Sequence, residues 1–259
     1  MKAQRPILTI VALILFVSLA CTTILGTPAS EATAGTEETN VAPPPPVEKS
    51  PTPKEQATEI VPTDTPAASP YFTEEFDSKP ANWELVVVPD NPDPSKKSDI
   101  ESVTTAFSDG RMVFDIPEEW LSAFYTYTGE TYKDVRLDIE FDNKGVNSNQ
   151  VSLVCRSDGG DKSYELEVSN DGRWVFKVNR QIVNRGASDK IKVGKGINHY
   201  TMICVDNEIS FFFNDVEPKG SPFVDNQNAL GAGYVGLVVT AKGKIPVNVE
   251  IDWYKISEP

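Results

Sequence analysis

The chain has 259 residues, with 38 acidic and 24 basic side chains and a formal net charge of −14. That balance argues against a nucleic-acid partner, whose phosphates need a basic surface. One histidine and three cysteines leave little from which to build a histidine-rich metal site or a Ser-His-Asp triad.

The N-terminus reads as a targeting segment outside the fold. Lys2 and Arg5 precede an almost wholly apolar run over 7–20, and Cys21 follows directly, the order of an export signal. As a helix the run would span ~20 Å, short of a ~30 Å hydrocarbon core. Continued through Leu25 it comes closer, so an uncleaved anchor stays open beside a cleaved signal. The stretch Val17-Ser18-Leu19-Ala20-Cys21 resembles a bacterial lipoprotein lipobox, with Ser18 where leucine is usual. The resemblance implies lipidation at Cys21 and a place on the extracytoplasmic face of a bacterial membrane, with 1–21 as signal or anchor.

Residues 22–70 contain no aromatic residue and ten prolines. Such a segment cannot bury enough apolar surface to offset its ordering entropy, and Pro-rich chains stay extended and fairly stiff. A disordered stalk is expected here.

From residue 71 to 259 the composition changes: all four tryptophans and all eight tyrosines lie here, in a length sufficient for one sizeable core. Strand-like runs are expected at 81–88, 103–107, 111–116, 121–127, 133–141, 150–156, 163–168, 173–178, 199–205, 208–213, 233–240 and 247–256. The clearest stretch is 150–178. Val151, Leu153 and Cys155, then Tyr164, Leu166 and Val168, then Trp174, Phe176 and Val178 alternate with polar neighbours, the period of strands with one buried face. Gly159-Gly160 and Asn170-Asp171-Gly172 supply turn chemistry between them, and 204–209 reads as a two-residue hairpin. Many short strands without a helical period predict an all-β sandwich or barrel.

The order of residues carries a resemblance. Phe76-Asp77 and Trp83 come first. Tyr132-Lys133-Asp134-Val135-Arg136-Leu137-Asp138-Ile139-Glu140 then precedes Val154-Cys155-Arg156, and Tyr164-Glu165-Leu166-Glu167-Val168 leads into Asp171-Gly172. Gly233-Tyr234-Val235-Gly236-Leu237 runs on to Ile251-Asp252-Trp253. This pattern resembles the bacterial concanavalin A-like jelly-roll domains of the laminin-G-like and 3-keto-disaccharide-hydrolase-like kind, found on exported lipoproteins. It implies a sandwich of two antiparallel sheets whose concave face binds carbohydrate, though fold alone does not license that function.

With Cys21 assigned to lipid, Cys155 and Cys204 remain, each on the core-facing alternation of an apolar strand. Outside the cytoplasm a buried pair in neighbouring strands is expected to oxidise, closing a loop that stabilises by about 4 kcal/mol; two separate buried thiols are the alternative.

For chemistry, Asp138, Glu140 and Asp142 alternate on one strand and share a face, ~7 Å apart, a spacing that suits two-carboxylate glycoside hydrolysis. Laminarinase-type enzymes of the same fold carry a Glu, Asp, Glu row on a concave strand. This row departs from it in acid identity, in spacing and in lacking a flanking Trp or Met, so a solvated strand face is the simpler reading. Glu250 and Asp252 pose the same question, with a structural pairing role expected for Asp252. Calcium is the one cofactor the loops suggest, through Asp158, Asp161, Asp225, Asn226 and Asn228, but their spacing matches no EF-hand and loop Asp and Asn usually serve turns. Sugar binding needs rings beside fixed polar groups: Arg156, Tyr164, Trp174, Asp138 and Glu140 are the expected ligand contacts, with Tyr125, Tyr127 and Tyr132 as further aromatics. A mid-strand Arg156 is expected to pair with Glu165 or Glu167, and His199 to be a surface or hydrogen-bonded residue. The sequence favours a tethered, non-catalytic module binding carbohydrate or an envelope partner. The alternatives are a glycoside hydrolase or 3-keto-disaccharide-hydrolase-like enzyme, and a purely structural domain.

Overall fold

The computed structural model describes residues 69–90, 97–145, 149–227 and 229–259. Cys21, the apolar run and most of the Pro-rich segment lie outside the described residues.

The described chain is a sandwich of two antiparallel sheets. In chain order its strands are β1 (Phe72–Glu74), β2 (Trp83–Pro89), β3 (Thr104–Ser108), β4 (Arg111–Ile116), β5 (Leu121–Tyr132), β6 (Val135–Asn143), β7 (Asn149–Ser157), β8 (Tyr164–Ser169), β9 (Arg173–Val178), β10 (Gln181–Ala187), β11 (Gly196–Val205), β12 (Glu208–Phe213), β13 (Phe223–Val224), β14 (Gly233–Ala241) and β15 (Val247–Ser257). The first sheet runs β13-β12-β11-β6-β15-β4-β3, with β1 also paired to β15; the second runs β10-β9-β8-β7-β14-β5-β2. The twelve expected strands are all present. The three additional ones are β1 and β13, too short to show a period, and β10, an edge strand whose Gln181, Ile182 and Val183 are exposed in succession. Its outward-facing backbone escapes the alternation that marks a strand with one buried face.

The alternating residues fill the space between the sheets. Leu153, Leu166, Phe176 and Leu237 from the second sheet meet Leu137, Ile139, Tyr200 and Phe211 from the first, all in one core. Rings dominate it: Trp83 stacks on Tyr125 at 4.9 Å, and Trp174 meets Phe211 edge-on at 4.9 Å. Such pairs each add about 0.5–1.5 kcal/mol beyond their buried area. The expected disulfide is present between Cys155 and Cys204, but not between neighbouring strands. Cys155 lies on β7 and Cys204 on β11, so the bond staples one sheet to the other.

Candidate functional site on the outer face of the second sheet

Side chains of the second sheet that point away from the core are buried all the same. Val238 is 1% exposed and Val154 8%, yet neither belongs to the core between the sheets. Ser122, Ser152, Glu167 and Thr240 on the same face are buried too. Every described strand belongs to one of the two sheets, so none forms a third layer above them. The burial of these outward side chains marks the face as recessed. The register sets these residues in rows: Phe124, Val238, Ser152, Glu167 and Val175 run side by side across five strands, and Thr126, Gly236, Val154, Glu165 and Lys177 form the next row.

Toward the β10 edge of this face the Lys177 ammonium pairs with Glu167 and lies 3.7 Å from Glu165. Burial pushes the Glu165 carboxyl above the usual range, and the neighbouring Glu167 charge adds to this; Lys177, Ser152 and Lys242 act in the opposite direction. Burial alone would lower Lys177, but Glu165 and Glu167 outweigh it and raise its pKa. Asp90 and Lys242, ion-paired to each other at the far edge, reach these groups electrostatically, as a recessed face allows.

Beside this triad a half-open hollow of about 470 Å³ is lined by Gln150, Glu167, Ser169, Arg173, Val175 and Arg185, with Trp174 and Gly186 in its floor. The Gln150 Oε1 atom is buried with no hydrogen-bond partner among the described residues. A buried acceptor of this kind costs about 1–3 kcal/mol when left unmade, and a donor entering the hollow would satisfy it. On the core side of the sheet Gly186 makes room for Trp174: a Cβ on it would lie 2.6 Å from the indole.

The five expected ligand contacts do not share one surface. Tyr164 and Trp174 face the core. The Tyr164 hydroxyl donates to Asp225 Oδ2 (3.0 Å) and accepts from the Leu230 N–H (3.1 Å). Arg156 does not pair with Glu165 or Glu167. Its side chain is 1% exposed and pairs with Asp134 (3.3 Å), while also donating to the carbonyls of Lys133 (2.6 Å), Leu230 (3.0 Å) and Asp206. The reason is a bulge. Simple alternation would put Arg156 on the concave face, but β7 and β14 slip register between Tyr234 and Gly236, and Arg156 adopts a positive φ of 53°. This turns the guanidinium under the sheet end, where Gly233 lets the two backbones approach: a Cβ there would lie 2.5 Å from Arg156.

Asp138 and Glu140 lie on the outer face of the other sheet. Asp138 is buried, which disfavours its charge, but the nearby His199 and hydrogen bonds from Arg136 and Thr201 outweigh burial and hold its carboxyl well below the usual range. His199 sits 3.3 Å from Asp138 and 3.3 Å from Asp215. Asp252 pairs with Arg111 at 3.1 Å, the structural role expected for it. Tyr125 and Tyr132 are buried, and Tyr127 packs against Phe72 at 5.0 Å. Of the loop oxygens, Asp158 Oδ1 accepts from the Gly160 and Lys162 N–H groups, Asp161 pairs with Arg180, and Asp225 accepts from Tyr164 and the Gln227 N–H. Asn228 lies outside the described residues. Sequence reasoning treated Glu165 and Glu167 only as partners for Arg156. The signal that marks their face is the run of small or apolar residues (Ser122, Val154, Val238) where a solvated face would carry long polar ones.

Two stacked antiparallel sheets in this order, one of them with a recessed outer face, define a concanavalin A-like jelly roll. Solved structures share it. A Bacillus licheniformis β-glucanase matches with a TM-score of 0.55 and 12% identity over 74% of this chain and 100% of its own. A Bacteroides ovatus mixed-linkage-glucan GH16 protein in complex with a G4G4G3G product matches at 0.53 and 12%, over 72% and 99%. A Bacillus subtilis protein of unknown function with a galectin-like fold matches at 0.52 and 10%, over 72% and 94%. At these identities the likeness is one of fold. No protein-family model matches the sequence, and no curated protein does.

Proposed function

We propose that this protein is a tethered, non-catalytic module that binds a neutral polysaccharide in the concave face of its second sheet. The observation that carries the reading is the hollow beside Lys177, where a buried, unpartnered Gln150 carbonyl, Ser169 and two arginines surround a volume open on one side. Sugar hydroxyls both donate and accept, and fixed polar groups in a partly apolar cleft match them. The glucan-related names of the structural neighbours agree with this ligand class. Segment 1–21 and the Pro-rich 22–70 support a place on the extracytoplasmic face of a bacterial membrane, held through lipid on Cys21 or by the anchor itself.

A hydrolase is the competing reading, favoured by the raised pKa of Glu165 two residues from Glu167. Lys177 argues against it. Acid and nucleophile must each be free to reach the glycosidic bond, and here one ammonium engages both carboxylates. The test is affinity electrophoresis of the full chain in detergent through gels containing mixed-linkage β-glucan, laminarin or xyloglucan, with product analysis of the same mixtures. Retardation in at least one gel, weakened about tenfold by Gln150→Ala and with no oligosaccharide released, is expected. Release of oligosaccharides that stops in Glu165→Gln would establish the hydrolase instead.

A further inference from the structure

The first sheet also has an outer face, and it presents aromatic surface. Trp253 and Phe212 are half-buried but belong to neither side of the core. Trp253 owes its direction to a second register slip, between Ile251 and Trp253 of β15 against β6. Asp252 and Trp253 consequently both leave the core face, where alternation would bury one of them. Trp253 lies beside Glu140 in register and 5.4 Å from the His199 ring. On the other side Phe212 lies beside Thr201, which pairs in register with Asp138. Three strand spacings and a two-residue offset along the strands separate Phe212 on β12 from Trp253 on β15, so the two rings are roughly 16 Å apart, with the partly exposed His199 and Glu140 between them above the buried, mutually bonded Thr201 and Asp138.

Most charges of this face are ion-paired, with carboxylates in slight excess. Arg111 pairs with Glu250 (2.8 Å) and Asp252 (3.1 Å), Lys144 with Asp142, and Arg136 with Asp138 (2.7 Å). Glu140 makes no ion pair among the described residues. A charged ligand would meet groups already engaged. A neutral polyol with an apolar C–H face would find fixed donors and acceptors flanked by an indole and a phenyl ring, the complement such a surface offers.

We propose a second carbohydrate-binding surface on the outer face of the first sheet, with Trp253 as its stacking platform, Glu140 as acceptor for sugar hydroxyls and Phe212 as its far wall. It faces away from the concave site, so one module holds two glycan chains at once, and their avidity exceeds either single contact.

The test uses the full chain in detergent in gels of mixed-linkage β-glucan, laminarin or xyloglucan, with Trp253→Ala, Glu140→Ala, Gln150→Ala and the Trp253→Ala/Gln150→Ala pair. Each variant is first checked for an unchanged far-UV spectrum and melting curve. Trp253→Ala and Glu140→Ala are each expected to weaken retardation at least about fivefold, Gln150→Ala to leave a residual shift, and the pair to remove it. Migration of both outer-face variants like the unaltered protein, with Gln150→Ala alone abolishing retardation, overturns this inference and leaves the concave site standing. Loss in Trp253→Ala with no effect of Gln150→Ala sustains this surface and refutes the concave one. No retardation of the unaltered protein in any of the three gels overturns both. Should Glu140→Ala melt early, Glu140→Gln, which keeps shape and an acceptor, is expected to bind within about twofold of the unaltered protein, and a larger loss would identify a cationic ligand instead.

Discussion

Replacing Arg156 with methionine tests whether the guanidinium is structural. Its donors reach three backbone carbonyls, in the turns at Lys133 and Asp206 and in the segment at Leu230, and the carboxylate of Asp134; its charge also sits 5.6 Å from the Tyr164 ring centroid. Methionine fills most of the volume and removes every donor. Asp134 is partly exposed and rehydrates, but the carbonyls next to a buried side chain lose partners at about 1–3 kcal/mol each. Breaking one side of a buried ion pair gives a similar sum, about 3–5 kcal/mol. With a urea m-value near the upper end of about 1–3 kcal/mol/M, the unfolding midpoint of the full chain, followed by tryptophan fluorescence, is expected to fall by about 1–2 M. Arg156→Lys is expected to recover less than half of this, because a point ammonium cannot serve a fork of acceptors. A midpoint within about 0.3 M of the unaltered protein, less than 1 kcal/mol at that m-value, would refute the reasoning, since the donors would then be replaceable by water.

Two further outcomes follow from the described geometry. Converting Cys155 and Cys204 to alanine is expected to cost about 4 kcal/mol in the chain-entropy view of a loop with a sequence separation of 49, read as a lower urea midpoint; a peptide map without reduction that finds both cysteines as free thiols would remove the basis for it. His199 has a pKa raised above 6.5, first by its close contact with Asp138 (3.3 Å) and further by the charges of Asp138, Asp215 and Glu140, with burial opposing. A histidine raised on folding contributes stability fully present below pH 6.5 that is lost as pH rises through its folded value. The melting temperature of the unaltered chain is expected to fall relative to His199→Gln between about pH 6 and about pH 8, and parallel curves for the two proteins would contradict it.

Strands β7, β8 and β9 were legible from alternation, since Val151, Leu153, Cys155, Tyr164, Leu166, Val168, Trp174, Phe176 and Val178 all sit in the core, but alternation left sandwich and barrel open, and the two stacked sheets followed from the resemblance. The disulfide was legible from the parity of Cys155 and Cys204, though not the fact that it crosses between sheets, since alternation marks a face and not its partner. Arg156 shows where parity fails: a one-residue slip redirects a side chain by half a turn, and nothing before the pairing with β14 announces it. The same device at Ile251–Trp253 hides Trp253 from a reading that expects tryptophan inside. A recessed face is the other blind spot. Glu165, Glu167 and Lys177 alternate outward like any solvated row, and only the self-burial of Val154 and Val238 shows the hollow they line.

The bond between Cys155 and Cys204 also has a mechanical consequence. The chain arriving from residue 70 enters the sandwich at β1, hydrogen-bonded to β15 in the first sheet, whereas under the proposed function a tethered molecule's glycan would pull on the second. Shear between an anchored and a loaded layer would otherwise fall on side-chain contacts alone. The cystine joins β7 to β11 near their C-terminal ends and would give that force a covalent route from one sheet to the other.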